Sequence, residues 1–335
     1  MIKRVPTFVS TLPRGSLIDR ITFFAQGLFV LNHDGMAWRV DSGTGRLLWQ
    51  MPEGRPKGRI APLPGGEEAL WFDPDGSVTR LDTRSGLTRP AGHLPHRVTH
   101  IHKVLSSPCG RWVFVDSKVP NGTAWHDIYG DYETTEPRGF LWDVHNQCER
   151  WCQDGYKDRE ESDGPIRFSP EGDELLLPGV SKDTFPMAWF HCETGAPVRV
   201  FTWTQWMAHK VVTRDSRLAI HGGQDLHAWL KGIKRYTLSV TTLDTVTPPS
   251  TRLLAESEQE LRPLVLGPDE AYVVTLEGGT LGVRDRQDGR LLSPPLMLPD
   301  GFAPRCATLA PAGDAFVMGS KDSRIARYEL EAASP

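Results

Sequence analysis

A strand-and-turn pattern that recurs along the whole chain constrains its fold more than any other feature. A short apolar strand, a Pro/Gly turn, a second strand and a third strand ending in a Thr-Gly-like turn occur in seven copies. The turn after the third strand falls at Gly45, Gly86, Asn146, Gly195, Asp244 and Gly289. This spacing suits four short strands with their turns, because such a unit needs about 40 to 45 residues.

Glycine and proline content agrees with this pattern. The 335 residues include 32 glycines and 27 prolines, spread over the whole length. These residues interrupt long helices and favour short strands joined by turns. One such sheet cannot bury both of its faces, so neighbouring sheets must pack radially around an axis. The sequence therefore predicts an all-β protein, a β-propeller.

Short motifs near the third copy resemble the WD40 family. They are Gly92-His93, Ser-Pro-Cys-Gly at residues 107–110 and Leu-Trp-Asp-Val at residues 141–144. The other copies lack the Gly-His dipeptide, so the resemblance is to a degenerate WD40-like propeller. It implies a structural hydrogen-bond network that includes His93 and Trp142, while the seven copies predict seven blades. Residues 41–49 also resemble the closing strand of quinoprotein-type repeats, although no other copy shares this feature.

We expect one propeller domain over residues 1–335. Its approximate blade limits are 15–55, 56–95, 96–153, 164–203, 204–255, 256–300 and 301–332. The last copy ends near Glu331 with no room for an outer strand, whereas residues 5–12 precede the first copy and have strand-like content. We predict that this N-terminal strand completes the last blade and closes the ring, because an open ring exposes strand edges.

Charge and composition narrow the classes of partner. The net charge of −4 and the pI near 6.3 give no basic surface for phosphate groups, so nucleic acid is not expected. No apolar stretch has the length of a signal-peptide core or a membrane span, so no membrane partner is expected. The five cysteines are an odd, scattered set, which is typical of a reduced, cytoplasmic protein.

Sequence motifs of common enzymes are absent. The chain has no Gly-x-Ser-x-Gly, Gly-x-Gly-x-x-Gly, Walker or His-Glu-x-x-His motif. The best metal candidate is the run that contains His93, His96, His100 and His102, but no carboxylate or cysteine within it completes a ligand set. We expect no catalytic residue, cofactor or metal. The alternative is a propeller hydrolase or lyase with its site at the axial channel.

The long connection at residues 117–139 is the first candidate binding segment. In a WD40-like blade this connection and the blade-to-blade segment 153–164 emerge on the same face. Aromatic side chains among charged ones suit a binding patch, because Trp and Tyr bury much area at little entropy cost. A helical turn would place Trp125 and Tyr129 on one face. The candidates are Trp125, His126, Asp127, Ile128, Tyr129, Asp131, Tyr132, Glu133 and Tyr156. Alternatively, the insertion folds back and covers an edge of its own blade.

A second candidate segment lies in the fifth copy, at residues 221–235. Leu226, Trp229, Leu230 and Ile233 recur at helical spacing, although Gly232 weakens a helix. The candidate partner-binding residues here are Trp229, Lys231, Lys234 and Arg235. The alternative is a short amphipathic turn packed on the propeller.

These observations together predict a non-catalytic interaction subunit of a larger cytoplasmic assembly. The rigid disc would hold variable loops in fixed positions, and those loops would bind one or more proteins whose identity the sequence does not reveal.

Overall fold

The computed structural model describes most of the chain. The described residues are 6–13, 17–24, 27–51, 58–127, 130–154, 166–178, 185–203, 209–213, 215, 217–242, 250–267, 269–310 and 312–330.

Short strands account for nearly all regular structure in these ranges, and one helical turn, α1, spans Leu226–Trp229. The first strands are β1 (Phe8–Thr11), β2 (Ile18–Phe24), β3 (Gly27–Asn32), β4 (Ala37–Val40), β5 (Leu47–Gln50), β6 (Arg59–Pro62), β7 (Glu68–Phe72), β8 (Ser77–Asp82) and β9 (Thr88–His93). The middle strands are β10 (His100–Ser106), β11 (Trp112–Asp127), β12 (Gly130–Asp143), β13 (Cys148–Asp154), β14 (Arg167–Phe168), β15 (Glu174–Pro178), β16 (Phe185–His191) and β17 (Pro197–Trp203). The last strands are β18 (His209–Val212), β19 (Leu218–Gln224), β20 (Tyr236–Thr242), β21 (Thr251–Ser257), β22 (Leu261–Leu266), β23 (Tyr272–Glu277), β24 (Thr280–Asp285), β25 (Leu296–Met297), β26 (Pro304–Leu309), β27 (Ala315–Ser320) and β28 (Arg324–Glu329).

The strands form seven four-stranded antiparallel sheets, the blades. Six blades are consecutive in sequence: β2–β5, β6–β9, β10–β13, β14–β17, β18–β21 and β22–β25. The seventh contains β26, β27, β28 and β1. The first strands of neighbouring blades lie against one another, as β6 does with β10 and β18 with β22, so these strands surround the axis. The protein is a seven-bladed β-propeller.

The last blade joins the two ends of the chain. Strand β1 pairs antiparallel with β28, with Phe8 opposite Arg327 and Thr11 opposite Arg324. Strand β2 of the first blade lies against β26 of the last, so the ring is closed. The Ser10 hydroxyl also donates to the Gly45 carbonyl oxygen of the first blade at 2.9 Å. Val5, where the sequence places the start of this strand, lies outside the described residues.

The hydrophobic core lies between the blades. Each apolar cluster draws buried side chains from two adjacent sheets; one contains Phe72 of blade 2 and Phe140 of blade 3, and another contains Val30 of blade 1 and Val317 of blade 7. Every blade therefore depends on its neighbours for burial, because apolar area removed from water is the main favourable contribution to folding.

A repeated aspartate shapes the turn between the third and fourth strands. The carboxylates of Asp41, Asp82, Asp143 and Asp285 each accept backbone N–H groups two and three residues further on. Aspartate favours such turns because its short side chain reaches its own backbone. This geometry explains the recurring Thr-Gly-like turn of the sequence.

The hydrogen-bond network expected for His93 and Trp142 does not form through the indole. Trp142 is fully buried, and its indole N–H has no hydrogen-bond partner in the described part of the chain. His93 ends strand β9, and its Nδ1 lies 2.6 Å from the Leu94 carbonyl oxygen. Trp142 instead packs edge-to-face on Phe72 and against Gly92, where a Cβ atom would lie 2.8 Å from the indole ring. Its role is packing.

We predict that removal of residues 1–12 lowers the Tm by at least ~5 °C, because the last blade loses its outer strand and β28 becomes an edge. Thermal melts of this variant and of a control lacking only residues 1–5 provide the measurement. If both melt like the full chain, β1 does not stabilise the ring.

The contribution of Asp143 to stability is expected to depend on pH. Burial by itself raises the pKa of this carboxyl group, but hydrogen bonds from Asn146 and His145 outweigh it and hold the pKa below its ordinary value of 3.8. A lowered folded-state pKa adds stability that is present above the unfolded-state pKa and lost as the pH falls through the folded value. We expect Asp143→Asn to lower the Tm at pH 7, and the difference in Tm from the wild type to shrink progressively as the pH falls below about 4. A constant difference down to pH 3 would contradict this.

Candidate partner-binding face

Strand direction defines two faces of the disc. Connections between the second and third strands emerge on one face, together with the blade-to-blade segments; we call it the top face. Connections between the first and second strands, and between the third and fourth, emerge on the bottom face. The top connections of blades 1 and 2 are tight turns, since β3 ends at Asn32 and β4 begins at Ala37, and β7 ends at Phe72 and β8 begins at Ser77.

Blade 3 carries a long two-stranded arm on the top face. Strand β10 pairs with β11 as far as Lys118, and β13 pairs with β12 from Arg138 onward. Beyond these points, in the part of the chain that the structure describes, β11 and β12 pair with each other alone, from Val119 opposite Glu136 to Asp127 opposite Gly130. We call residues 119–136 the arm. Its shorter strand, residues 130–136, has seven residues, so at about 3.3 Å per residue the arm is about 23 Å long.

The insertion is extended, whereas a helical turn was expected at Trp125 and Tyr129. Trp125 lies in an extended strand opposite Tyr132, so it is not part of a helical turn. The register shifts between Pro120 and Ala124, where Gly122 has a φ of +77° that few other residues adopt. The physical reason for the extended form is cross-strand pairing, which continues the blade's own ladder into the insertion.

The candidate residues of the arm are described only in part. His126, Asp127, Asp131 and Glu133 lie in β11 and β12 as paired backbone positions. Ile128 and Tyr129 lie outside the described residues, and so do Tyr156 and most of the adjoining segment 153–164.

Blade 5 carries the second elongated connection, residues 225–235, which we call the Trp229 loop. The turn α1 ends at Trp229, and the chain then reverses at Gly232, whose φ is +74°. Ala228 is buried, whereas Trp229 is 55%, Leu230 70% and Ile233 54% exposed. Three of the four apolar residues that the packed alternative would bury are therefore largely exposed, whereas the side chain of Leu226 lies outside the described residues. The helix is too short to present one continuous apolar face to the disc.

Asp225 and Arg235 close the base of the Trp229 loop. The Asp225 N–H donates to the Arg235 carbonyl oxygen at 2.8 Å, and the Arg235 Nε–H donates to Asp225 Oδ2 at 2.8 Å. Asp225 Oδ1 accepts the Ala228 N–H at 3.1 Å and so caps α1. Hydrogen bonding to Asp225 raises the pKa of the Arg235 guanidinium above its ordinary value. This clamp fixes the loop and its exposed apolar side chains.

Of the three basic side chains of the Trp229 loop, one is paired within the molecule and two are exposed. Arg235 is used within the molecule, since it also lies 3.8 Å from the Glu256 carboxylate. Lys231 and Lys234 are exposed, and neither has an ion-pair partner among the residues that the structure describes. Both ammonium groups are therefore available to an outside carboxylate.

The structure adds Leu230 and Ile233 to the candidate partner-binding residues, because both side chains are exposed beside Trp229. Their helical spacing with Trp229 indicated an inward face, and Gly232 was the one sequence signal that the helix ends before Ile233. The exposed surface therefore consists of Trp229, Leu230 and Ile233 flanked by two lysines.

The histidines of the candidate metal run and the helical content bear on metal and membrane binding. The rings of His100 and His102 are 4.4 Å apart, so both side chains lie on one side of β10. In the described ranges no group of three or more His, Cys, Asp or Glu side chains is placed to hold a metal ion. No helix of these ranges has the length and hydropathy needed to cross a membrane.

Comparison with known proteins adds information on the fold. No protein-family model matches the chain, and no curated protein matches it. Solved structures that match include hydrazine synthase of Kuenenia stuttgartiensis, with 15% identity, a TM-score of 0.64 and coverage of 94% of this chain and 95% of that one. The Cps50 (Swd1) β-propeller domain of Myceliophteria thermophila matches with 13% identity, a TM-score of 0.61 and coverage of 96% and 98%. At these identities the likeness shows the propeller fold alone.

We predict that Asp225→Ala loosens the Trp229 loop without unfolding the blade. Loss of an N-cap costs about 1 kcal/mol, so the Ala228 amide should exchange about fivefold faster. Hydrogen exchange read by NMR or mass spectrometry, with a thermal melt, gives the measurement, and Glu258→Ala is the exposed control. Unchanged exchange in Asp225→Ala would show that the clamp does not hold the loop.

Proposed function

We propose that the protein is a non-catalytic, WD40-like interaction subunit of a cytoplasmic assembly and binds a partner protein through its top face. The observation that carries this proposal is the Trp229 loop, in which three large apolar side chains are held in water by a capped and clamped turn. The five cysteines, which are all free thiols, are consistent with a reducing compartment.

Exposed apolar side chains are significant here because they are adjacent and fixed. Single exposed hydrophobic residues are common, whereas contiguous ones often mark interaction sites. Trp and its neighbours are typical anchors, since they bury a large area on binding and have few torsions to order. The Asp225–Arg235 clamp lowers the ordering cost further, because the loop already has its shape before it binds.

The Trp229 loop alone is too small for a stable protein interface, which buries about 1,200 to 2,000 Å² in total. The arm of blade 3 supplies further surface on the same face. The two elements rise on either side of blade 4, so one partner placed over that blade would touch both. A two-stranded ribbon without a third strand is marginal in water, and a partner that packs on the arm would stabilise it.

Charge supports a defined orientation of the partner. The arm contains Asp127, Asp131 and Glu133, whereas the Trp229 loop presents Lys231 and Lys234. A partner with opposite charges at the two places would be steered into one orientation.

The test is co-purification of tagged protein from its native cell, with mass spectrometry of the bound proteins. We expect Trp229→Ser/Leu230→Ser/Ile233→Ser to lose a partner that the wild type retains, since each anchor contributes on the order of 2 kcal/mol to binding. The matched control is Leu87→Ser, because Leu87 is 73% exposed but lies on the bottom face. Equal recovery of every protein by all three baits would contradict the proposal.

A separate variant, Trp125→Ala/Tyr129→Ala, tests whether the arm contributes to partner binding. We expect weaker recovery of the same partner and an unchanged Tm. A large fall in Tm would indicate instead that the arm covers an edge of its own blade.

A further inference from the structure

Both ends of α1 are closed by hydrogen bonds within the Trp229 loop. At its start the Asp225 carboxylate caps the helix. At its end the Ile233 N–H donates to the Ala228 carbonyl oxygen at 3.0 Å. The Gly232 N–H donates to the Trp229 carbonyl oxygen at 2.8 Å. This pair of bonds, with Gly232 at positive φ, is the Schellman arrangement that ends many helices. The loop therefore has a defined shape before any partner binds.

The apolar side chains of the loop gain little burial from this turn. In a Schellman arrangement the residue after the glycine often packs on the helix that ends there. Ile233 holds that position, yet its side chain remains exposed, as do those of Trp229 and Leu230. Large apolar side chains that are fixed in water in this way gain free energy when a partner covers them.

The charge that the loop presents to water is positive. Its one acidic residue, Asp225, accepts the Arg235 Nε–H at 2.8 Å, and the nearby Glu256 lies 3.8 Å from the same guanidinium. Lys231 and Lys234 are exposed and have no ion-pair partner among the described residues. A partner that covers the apolar side chains places its own groups beside these two ammonium ions. Carboxylates are favoured there over basic groups.

The backbone of the loop favours one conformation of the partner. The N–H groups of Trp229, Lys231, Gly232 and Ile233 all donate to carbonyl oxygens within the loop. A partner strand that binds by strand addition needs free backbone groups on the site, and these donors are already used. A helix satisfies its own backbone and contacts the site through side chains alone. The loop therefore suits a helix rather than a strand.

We infer that the Trp229 loop binds an acidic amphipathic helix of the partner protein. Apolar residues on one face of that helix cover the side chains of Trp229, Leu230 and Ile233. Asp or Glu residues beside that face form charge-assisted hydrogen bonds with Lys231 and Lys234. The inference rests on the proposed function, since it names the chemistry of the partner at the same surface.

An anionic membrane is the other surface that Trp, Leu, Ile and Lys side chains suit. A flat membrane that touches the loop also faces the arm, which lies on the same side of the disc. The arm contains Asp127, Asp131 and Glu133, and anionic lipid repels carboxylates. A single helix is narrow enough to contact the loop alone. Charge therefore favours the helix.

The experiment measures the fluorescence anisotropy of the fluorescein-labelled peptide Ser-Glu-Glu-Leu-Phe-Glu-Asp-Leu-Leu-Glu-Glu-Leu-NH₂, titrated with the full chain in about 50 mM salt. The apolar residues of this peptide fall on one face of a helix and its acids on the other. One comparison peptide has lysine in place of each acid, and the other has the same residues in an order that mixes the two faces. We expect saturable binding of the acidic peptide, no binding of the basic one, and at least about tenfold weaker binding of the mixed one.

Variants of the chain locate the contact. Lys231→Ala/Lys234→Ala should weaken binding of the acidic peptide at least about fivefold, whereas Lys231→Arg/Lys234→Arg keeps both charges and should bind within about twofold of the wild type. Leu230→Ser should weaken binding at least about tenfold. The matched control is Lys321→Ala, because Lys321 is an exposed lysine in the top connection of blade 7, between β27 and β28.

Three results would overturn the inference: no saturable binding of the acidic peptide, equal affinity for the basic peptide, or full affinity in Lys231→Ala/Lys234→Ala. A fourth is sedimentation of the chain with vesicles of phosphatidylserine and phosphatidylcholine, in roughly a 1:3 ratio, that Leu230→Ser abolishes. That result would assign the loop to a membrane.

Failure of the inference is distinguishable from failure of the proposed function. The proposed function fails when Trp229→Ser/Leu230→Ser/Ile233→Ser still co-purifies with every protein that the wild type retains. A partner that is lost from this variant but retained by Lys231→Ala/Lys234→Ala would leave the proposed function standing and would overturn the inference.

Discussion

Burial between adjacent sheets is the interaction on which the rest of this structure depends. A blade of four short strands has two faces, and the apolar clusters show that each face is covered by the next blade, as with Phe72 and Phe140 or Val30 and Val317. The first and last blades can share a cluster only when the ring is closed. Pairing of β1 with β28 accompanies that closure, so the ends of the chain lie in one sheet.

A closed ring leaves the strand connections as the variable surface. Tight turns limit most of them, and the aspartates at the third strands use their carboxylates to hold four such turns. Among the described connections between second and third strands, those of blades 3 and 5 depart from this rule. The same scaffold thereby holds the acidic arm and the apolar, basic Trp229 loop on one face.

Most of the fold could be predicted from the sequence because it depends on local signals repeated seven times. The strand-and-turn repeat, with its Thr-Gly-like turns, reports directly on the blades, and the missing outer strand of the last copy indicates an N-terminal contribution. The site was less predictable. The spacing of Trp229 and Ile233 fits a buried helical face equally well, and only the reversal at Gly232 exposes both.

The proposed function depends on contact between the Trp229 loop and a partner protein. A photoreactive phenylalanine analogue at position 230, irradiated in the native cell, tests this most directly, with the same analogue at position 87 on the bottom face for comparison. We expect one discrete cross-linked product from position 230, containing a single partner protein, and none of that product from position 87. No product at position 230, or the same product from both positions, would contradict it.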